Sequence, residues 1–280
     1  MTTETAWSSG ELDLAAYLRR TGCTEYREGA KPDLATLRAV HRAHAAAIAF
    51  EDLDIVLGRP IPLDIASLQA KLVGLRRGGY CYEQNLLFAA VLERIGFAVT
   101  GLGARVRMGE AKLRPVTHMT LRVEADGEPW LCDVGFGGEG LWEPIPLRDG
   151  VEVRQGGWTF AIAREDNGVR ALRSLHPDGW FDLYGFTLEE RFPVDYAVMN
   201  HYMSTHPRSP FIARAVVQQT GEGVRHSLTG TRLSTARPDA PETERQVPAG
   251  ELPEMLADVF GIELDAEESA ELIRVHSARE

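Results

Sequence analysis

A chain of 280 residues with 44% apolar and 25% charged side chains has the composition of an ordinary folded protein, long enough for two or three packed parts. Its net charge of −11 excludes a general nucleic-acid binder, which needs a basic face, although a local group of donors can still hold a phosphorylated ligand. Three scattered cysteines, Cys23, Cys81 and Cys132, are too few for a disulfide framework or a zinc site, so no metal is expected.

No charged start with an apolar stretch behind it opens the chain, and no run reaches transmembrane length, so a cytoplasmic, reduced protein with no membrane partner is expected. Residues 1–10 lack periodicity and read as a frayed tail. Asp13 then caps a short helix that stops at Gly22. Asp33 caps a stronger one, with Leu34, Leu37, Val40, His44 and Ile48 on one stripe and His41 beside it. His41 and His44 have no cysteine or carboxylate partner in the pattern and are read as stripe residues, not metal ligands. A helix over Leu63–Leu75 leads into Arg77-Gly78-Gly79-Tyr80-Cys81, and Leu86–Ile95 continues at helical spacing to Gly96. Residues 1–97 therefore read as a helical domain.

At Val99 the period changes to two. Val99–Met108, Thr117–Ala125, Pro129–Gly135, Trp158–Ile162, Arg170–Leu175 and Trp180–Phe186 predict an antiparallel sheet curling into a barrel over residues 98–200. The polar connection Met108–Pro115 is placed to overhang whatever His118 does. Glu189–Tyr202 reads as a weak helix. Strands at Ala213–Gln219, Ser227–Leu233 and near Arg245–Val247 follow, with a helix over Pro253–Phe260. Asp265–Glu271 reads as a solvated acidic face. Residues 201–280 form an α/β lid, and the fold class is α+β.

Cys81 falls at the start of a helix, where unpaired N–H groups and the positive end of the helix dipole favour an anionic sulfur. That stretch alone leaves open both a nucleophile and a buried structural cysteine. His118 on one strand and Asp133 at the end of the next supply a base and an orienter for that base. Cys132 points to the opposite face and reads as a packed apolar residue; His206, before Pro207, reads as part of an extended turn. The Cys81 N–H and the backbone near Gly78 and Gly79 are the candidate oxyanion donors.

Arg77-Gly78-Gly79-Tyr80-Cys81-Tyr82-Glu83-Gln84-Asn85, Thr117–Val123 and Asp133-Val134-Gly135-Phe136-Gly137 together resemble the signature of the arylamine N-acetyltransferases. Phe50-Glu51-Asp52-Leu53-Asp54 and Tyr202–Pro207 match two further blocks, and the resemblance spans about residues 12–264. It implies a cysteine-proteinase-like core and ping-pong transfer of an acetyl group from acetyl-CoA to an arylamine or hydrazine acceptor through Cys81, His118 and Asp133. It also implies Thr117, Gly135 and Gly137 on the cofactor side, and Phe50, Phe136 and Phe211 around the acceptor. An ion pair of Glu51 with Arg77 holding the active-site turn is a further implication. Macrolactam-closing amide synthases, which draw on an acyl carrier protein, are similar and share the same three residues. A thiol hydrolase is disfavoured because the other blocks match no protease, and the sequence assigns no oligomeric state.

Overall fold

The structure, a computed structural model, describes residues 6–26, 29–110 and 112–277. The expected caps form: Asp13 accepts the Ala16 amide ahead of α1 (Leu14–Thr21), and Asp33 accepts the Thr36 amide ahead of α2 (Leu34–Ala47). Residues 1–5 of the expected tail lie outside the described residues; from residue 6 onward the tail reading is corrected. Trp7 is buried and its indole N–H donates to the Val99 carbonyl at 3.2 Å, because an aromatic that large adds more by packing than by fraying.

β1 (Phe50–Glu51) and α3 (Leu53–Val56) follow. The expected helix over Leu63–Leu75 is a short α4 (Ile65–Leu68) that widens into a π-helical turn over Gln69–Gly74, closed by the Leu75 N–H on the Ala70 carbonyl at 2.9 Å. α5 (Cys81–Ile95) is buried on all sides from Cys81 to Leu92. A helix apolar only along one stripe would not need this, so its polar Glu83, Gln84 and Asn85 must find internal partners.

The eight-stranded antiparallel sheet runs β5-β4-β3-β2-β9-β8-β7-β6 and curls into a nearly closed barrel. Its strands are β2 (Ala98–Val106), β3 (His118–Ala125), β4 (Glu128–Cys132), β5 (Ile145–Pro146), β6 (Glu152–Gln155), β7 (Trp158–Arg164), β8 (Arg170–His176) and β9 (Gly179–Arg191). β5 and β6, absent from the sequence reading, are the two edges, and they approach where the Glu143 amide donates to the Gln155 side chain. β9 runs on to Arg191 because its last residues pair with Gly101 and Leu102, so the helix expected from Glu189 begins later, as α6 (Pro193–Thr205).

A second sheet has the order β1-β10-β11-β12-β13, with β10 (Val216–Gly221), β11 (Val224–Thr229), β12 (Arg232–Arg237) and β13 (Ala240–Gln246). The single strand expected over Ser227–Leu233 is instead a hairpin turned at Gly230, whose φ of 63° breaks the extended backbone. Val217, Leu228 and Leu233 pack on α7 (Leu252–Phe260), so the alternate residues of β10 and β11 face the barrel. α8 (Ala266–Ser277) closes the chain. β1 thus ties the N-terminal segment to the last sheet, and α6 runs across residue 200. Among the described residues, no helix is long and apolar enough to cross a membrane.

Candidate active site

The turn before α5 is held by backbone on both sides: the Glu51 amide donates to the Gly79 carbonyl at 3.1 Å, and the Gly79 amide to the Ala49 carbonyl at 3.3 Å. A Cβ on Gly78 would lie 2.1 Å from the Ala49 oxygen, so only glycine lets the turn sit against this strand. With the Gly79 N–H already engaged, the Cys81 N–H at the helix start is the stronger of the oxyanion donors named from sequence. Glu83 accepts the Tyr80 amide at 3.0 Å; burial pushes its carboxyl up to about 7, against the opposing pull of Lys71.

The pair expected between Glu51 and Arg77 forms, with Nη2 3.0 Å from Oε1, but as part of a larger buried network. Arg77 also reaches Asp54 at 3.3 Å and Glu268 at 3.0 Å, while Lys71 bridges Asp54 and Glu83 at 2.7 Å each. Glu268 corrects the reading of Asp265–Glu271 as wholly solvated: it is buried because α8 turns this one carboxylate inward onto Arg77 and Arg59. Burial works against the Arg77 charge, but Glu51, Asp54 and Glu268 outweigh it and raise the guanidinium above its ordinary value. Arg77→Met removes the cation shared by Glu51, Asp54 and Glu268, leaving Lys71 on Asp54 and Arg59 on Glu268, and is expected to lower stability by about 3–5 kcal/mol. A urea midpoint shift at unchanged slope measures it, and a shift equivalent to less than about 1 kcal/mol would show that the network does not hold the turn.

β3 and β4 pair antiparallel, Leu121 opposite Cys132, which brings His118 and Asp133 together beyond the end of the ladder. His118 Nε2 lies 2.6 Å from Asp133 Oδ2, leaving Nδ1 for the Cys81 sulfur, with which the imidazole also interacts. Burial opposes a charge on His118, but Asp133 and the Cys81 sulfur outweigh it and hold the imidazole at about 10. Burial likewise opposes the Asp133 charge, yet His118, Asn85 and the Gly135 amide keep its carboxyl below the usual range. The Cys81 sulfur also faces the Thr117 carbonyl at 4.0 Å. A Cβ on Gly135 would lie 2.8 Å from the Cys81 Cα, so glycine there lets the loop after Asp133 close onto the start of α5.

Two residues around Asp133 had no role in the sequence reading. Asn85 donates to Asp133 Oδ1 at 3.1 Å and to the Met119 carbonyl at 2.8 Å, and accepts the Val134 amide at 3.2 Å. Its position four residues after Cys81, on the same helix face, was the available signal. His41 accepts the Asp133 amide on Nε2 at 3.2 Å while Nδ1 lies 3.3 Å from the Trp142 carbonyl. Burial pushes His41 down to about 4, so it is neutral at ordinary pH with Nδ1–H donating and Nε2 accepting. Nothing local marks that role, because its partners are 92 and 101 residues away.

A cleft of about 1380 Å³ opens over the sulfur. Cys81, His118, Thr117, Gly135, Phe50, Phe136 and Phe211 line it; Asp133 lies behind His118. Gly137 is outside the cleft lining and packs toward Gln218. Phe50 and Phe211 are 5.9 Å apart between ring centres, and Phe136 lies 5.2 Å from His118. The Met108–Pro115 connection overhangs the cleft as expected, through Met108, Leu113 and Arg114. Cys132 is fully buried in the core; His206 caps α6 in extended conformation, stacked 4.4 Å from Tyr202. Among the described residues, no group of three or more metal-ligating side chains converges.

A family model described as N-acetyltransferase matches residues 33–269. The chain is 39% identical over 260 residues to an arylamine N-acetyltransferase of Mycolicibacterium smegmatis, covering 90% of this chain and 93% of that one. It superposes on the Nocardia farcinica arylamine N-acetyltransferase structure with a TM-score of 0.90 at 44% identity, covering 98% of each chain. The Mycobacterium marinum enzyme in complex with CoA gives a TM-score of 0.88 at 32% identity, covering 95% of this chain and 99% of that one. The chain belongs to the arylamine N-acetyltransferase family.

Proposed function

We propose that this protein transfers an acetyl group from acetyl-CoA to the nitrogen of arylamines and arylhydrazines by a ping-pong route through acetyl-Cys81. The observation that carries the reading is the buried His118–Asp133 hydrogen bond, set with the Cys81 sulfur at an aromatic-lined cleft that both Cys81 and His118 line. The Mycobacterium marinum relative in complex with CoA supports the choice of donor.

In the first half-reaction the Cys81 sulfur, with His118 protonated, attacks the thioester carbonyl; a new C–S bond forms and the bond to the CoA sulfur breaks. His118 gives its proton to the departing CoA thiolate. In the second, the amine nitrogen attacks the acetyl-cysteine, neutral His118 takes the amine proton, and the Cys81 thiolate leaves with its electron pair. Asp133 fixes the His118 tautomer and favours the imidazolium. The Cys81 N–H donates to the carbonyl oxygen as it gains charge. Phe50, Phe136 and Phe211 pack against the acceptor ring, and Thr117 and Gly135 lie on the donor side of the sulfur. In this reading residues 1–97 contribute the nucleophile, 98–200 the base and its orienter, and 201–280 the far wall of the cleft.

The test is an intact mass spectrum after brief incubation with acetyl-CoA and no acceptor, followed by peptide mapping. A gain of one acetyl group on the peptide containing Cys81, discharged by added arylamine, is the expected result. No gain, with Cys81 still rapidly alkylated by iodoacetamide, would replace acetyl-CoA with a carrier-bound acyl donor.

A further inference from the structure

The second sheet carries a cation that this chemistry leaves unused. Arg225 lies on β11, paired with Thr220 of β10, on the strand face it shares with Ser227. The alternate residues His226 and Leu228 face α7, so Arg225 points toward the barrel. Its guanidinium carbon sits 4.0 Å over the Trp158 ring and 5.7 Å from that of Phe160, both on β7. The side chain lines the same cleft as Cys81 while the residue is only 8% exposed.

Nε and Nη2 of Arg225 are buried and have no hydrogen-bond partner in the protein. Among the described residues, no carboxylate pairs with it. Glu139, the acidic group whose field reaches it, is bound to Ser174 Oγ at 2.8 Å and to His176 Nε2 at 2.9 Å. A guanidinium buried without a counter-ion is unfavourable because its charge is desolvated with nothing to offset it, and burial accordingly lowers this one to about 10. Stacking on indole compensates part of that, but it engages the ring face and leaves the N–H edge free. The two unpartnered nitrogens are the pair that forms the side edge of the guanidinium, the edge that matches two oxygens of one oxyanion.

The adjoining residues connect this edge to the reaction site. Ser227, two residues from Arg225, accepts from Gln218 Nε2 at 3.1 Å. Gln218 accepts the Gly138 amide at 3.0 Å and lies opposite Phe50 in the sheet. One continuous face therefore runs from the pocket aromatic Phe50 to the Arg225 edge.

We propose that Arg225 is a binding residue that holds an oxyanion carried by a substrate, through Nε–H and Nη2–H together. The two carriers, a carboxylate on the acceptor ring and a phosphate on the donor, rest on the donor and acceptor proposed above; the anion site does not.

Arg225→Met keeps an apolar stem on Trp158 and removes the fork. Its kcat/KM is measured with two donors, acetyl-CoA and the phosphate-free 4-nitrophenyl acetate, and two acceptors, 4-aminobenzoate and the uncharged 4-aminobenzamide. A loss of about tenfold or more with acetyl-CoA but not with 4-nitrophenyl acetate assigns the site to the donor phosphate. The same loss with 4-aminobenzoate but not with 4-aminobenzamide assigns it to the acceptor carboxylate. Equal losses across all four combinations, or none, overturn the proposal and leave Arg225 as packing on Trp158. Calorimetric titration of CoA and of 4-aminobenzoate into Cys81→Ala protein, with and without Arg225→Met, reads binding apart from turnover. Unchanged affinity for both probes overturns the anion site even where acetyl transfer stands. Weakened affinity supports it even where transfer fails. Arg225→Lys, which keeps the charge but not the fork, serves where the methionine variant does not fold. It is expected to lose affinity for the same probe, and full retention would overturn the bidentate contact.

Discussion

Cys81→Ala is expected to form no acetyl adduct with acetyl-CoA and to lower acetyl transfer by roughly 10⁴-fold or more, because the step that splits the reaction into two loses its nucleophile. The fold should survive. Cys81 is buried, but its side chain is small and its sulfur, beside His118, reaches the Thr117 carbonyl only at 4.0 Å, so little packing is removed. The ionic network below it, from Lys71 and Arg77 to Glu83 and Glu268, does not involve the sulfur. Measurement of adduct mass and turnover, with circular dichroism on the same sample, separates loss of chemistry from loss of structure. Retained turnover in a folded Cys81→Ala protein would remove Cys81 from the mechanism.

Asp133→Asn tests the other end of the series and is expected to reduce transfer by roughly 10³–10⁴-fold, the scale seen when a carboxylate orienting a catalytic histidine becomes an amide. Both oxygens of Asp133 accept: Oδ2 faces His118 Nε2, and Oδ1 takes the Asn85 amide and the Gly135 N–H. An asparagine has a single acceptor oxygen, so its NH₂ must face a donor on one side or the other. If the NH₂ faces His118, the tautomer reverses and the protonated imidazole loses its partner.

The pH dependence gives this variant a second readout. With Asp133 and Cys81 holding His118 at about 10, the protonated imidazole persists through neutral pH and is lost as pH rises through about 10. The rate of Cys81 acetylation should therefore stay level across neutral pH and fall on the alkaline side. Removing the Asp133 charge leaves burial, which disfavours the imidazolium, less opposed, so the alkaline fall should move toward the ordinary histidine range of about 6.5. Stopped-flow acylation by acetyl-CoA at a series of pH values measures the position. An unmoved alkaline limb in Asp133→Asn would mean that Asp133 does not set the His118 protonation state.

The parts of the site that were legible in the sequence are those fixed by short-range geometry. A glycine pair followed by helical spacing locates Cys81 at a helix start, and the structure has it at the first residue of α5. Period-two alternation locates His118 and Asp133 near the ends of successive strands, and antiparallel pairing brings such ends together. Asn85 and His41 were not legible as supports for Asp133 because each is defined by what it meets across the fold. Glu268 was misread for the same reason: its neighbours in sequence are acidic and solvated, and only the docking of α8 turns it onto Arg77. The barrel edges β5 and β6 escaped because strands of two and four residues carry too little alternation to be seen.

By itself the sequence determined the α+β class, the succession of a helical part, a barrel and a mixed last part, the family signature, and the places of Cys81, His118 and Asp133 at the ends of their elements. Those depend on local propensity and on side-chain types at given spacings, which the chain carries wherever it folds. Only the tertiary structure decided which polar groups support Asp133, how Arg77 is shared among three carboxylates, and that Arg225 is buried against Trp158 with an unpaired edge. Each is a property of desolvation and of distance between residues far apart in the chain. Hydrogen-bond partners and shifted charges exist only once packing has removed water from around them.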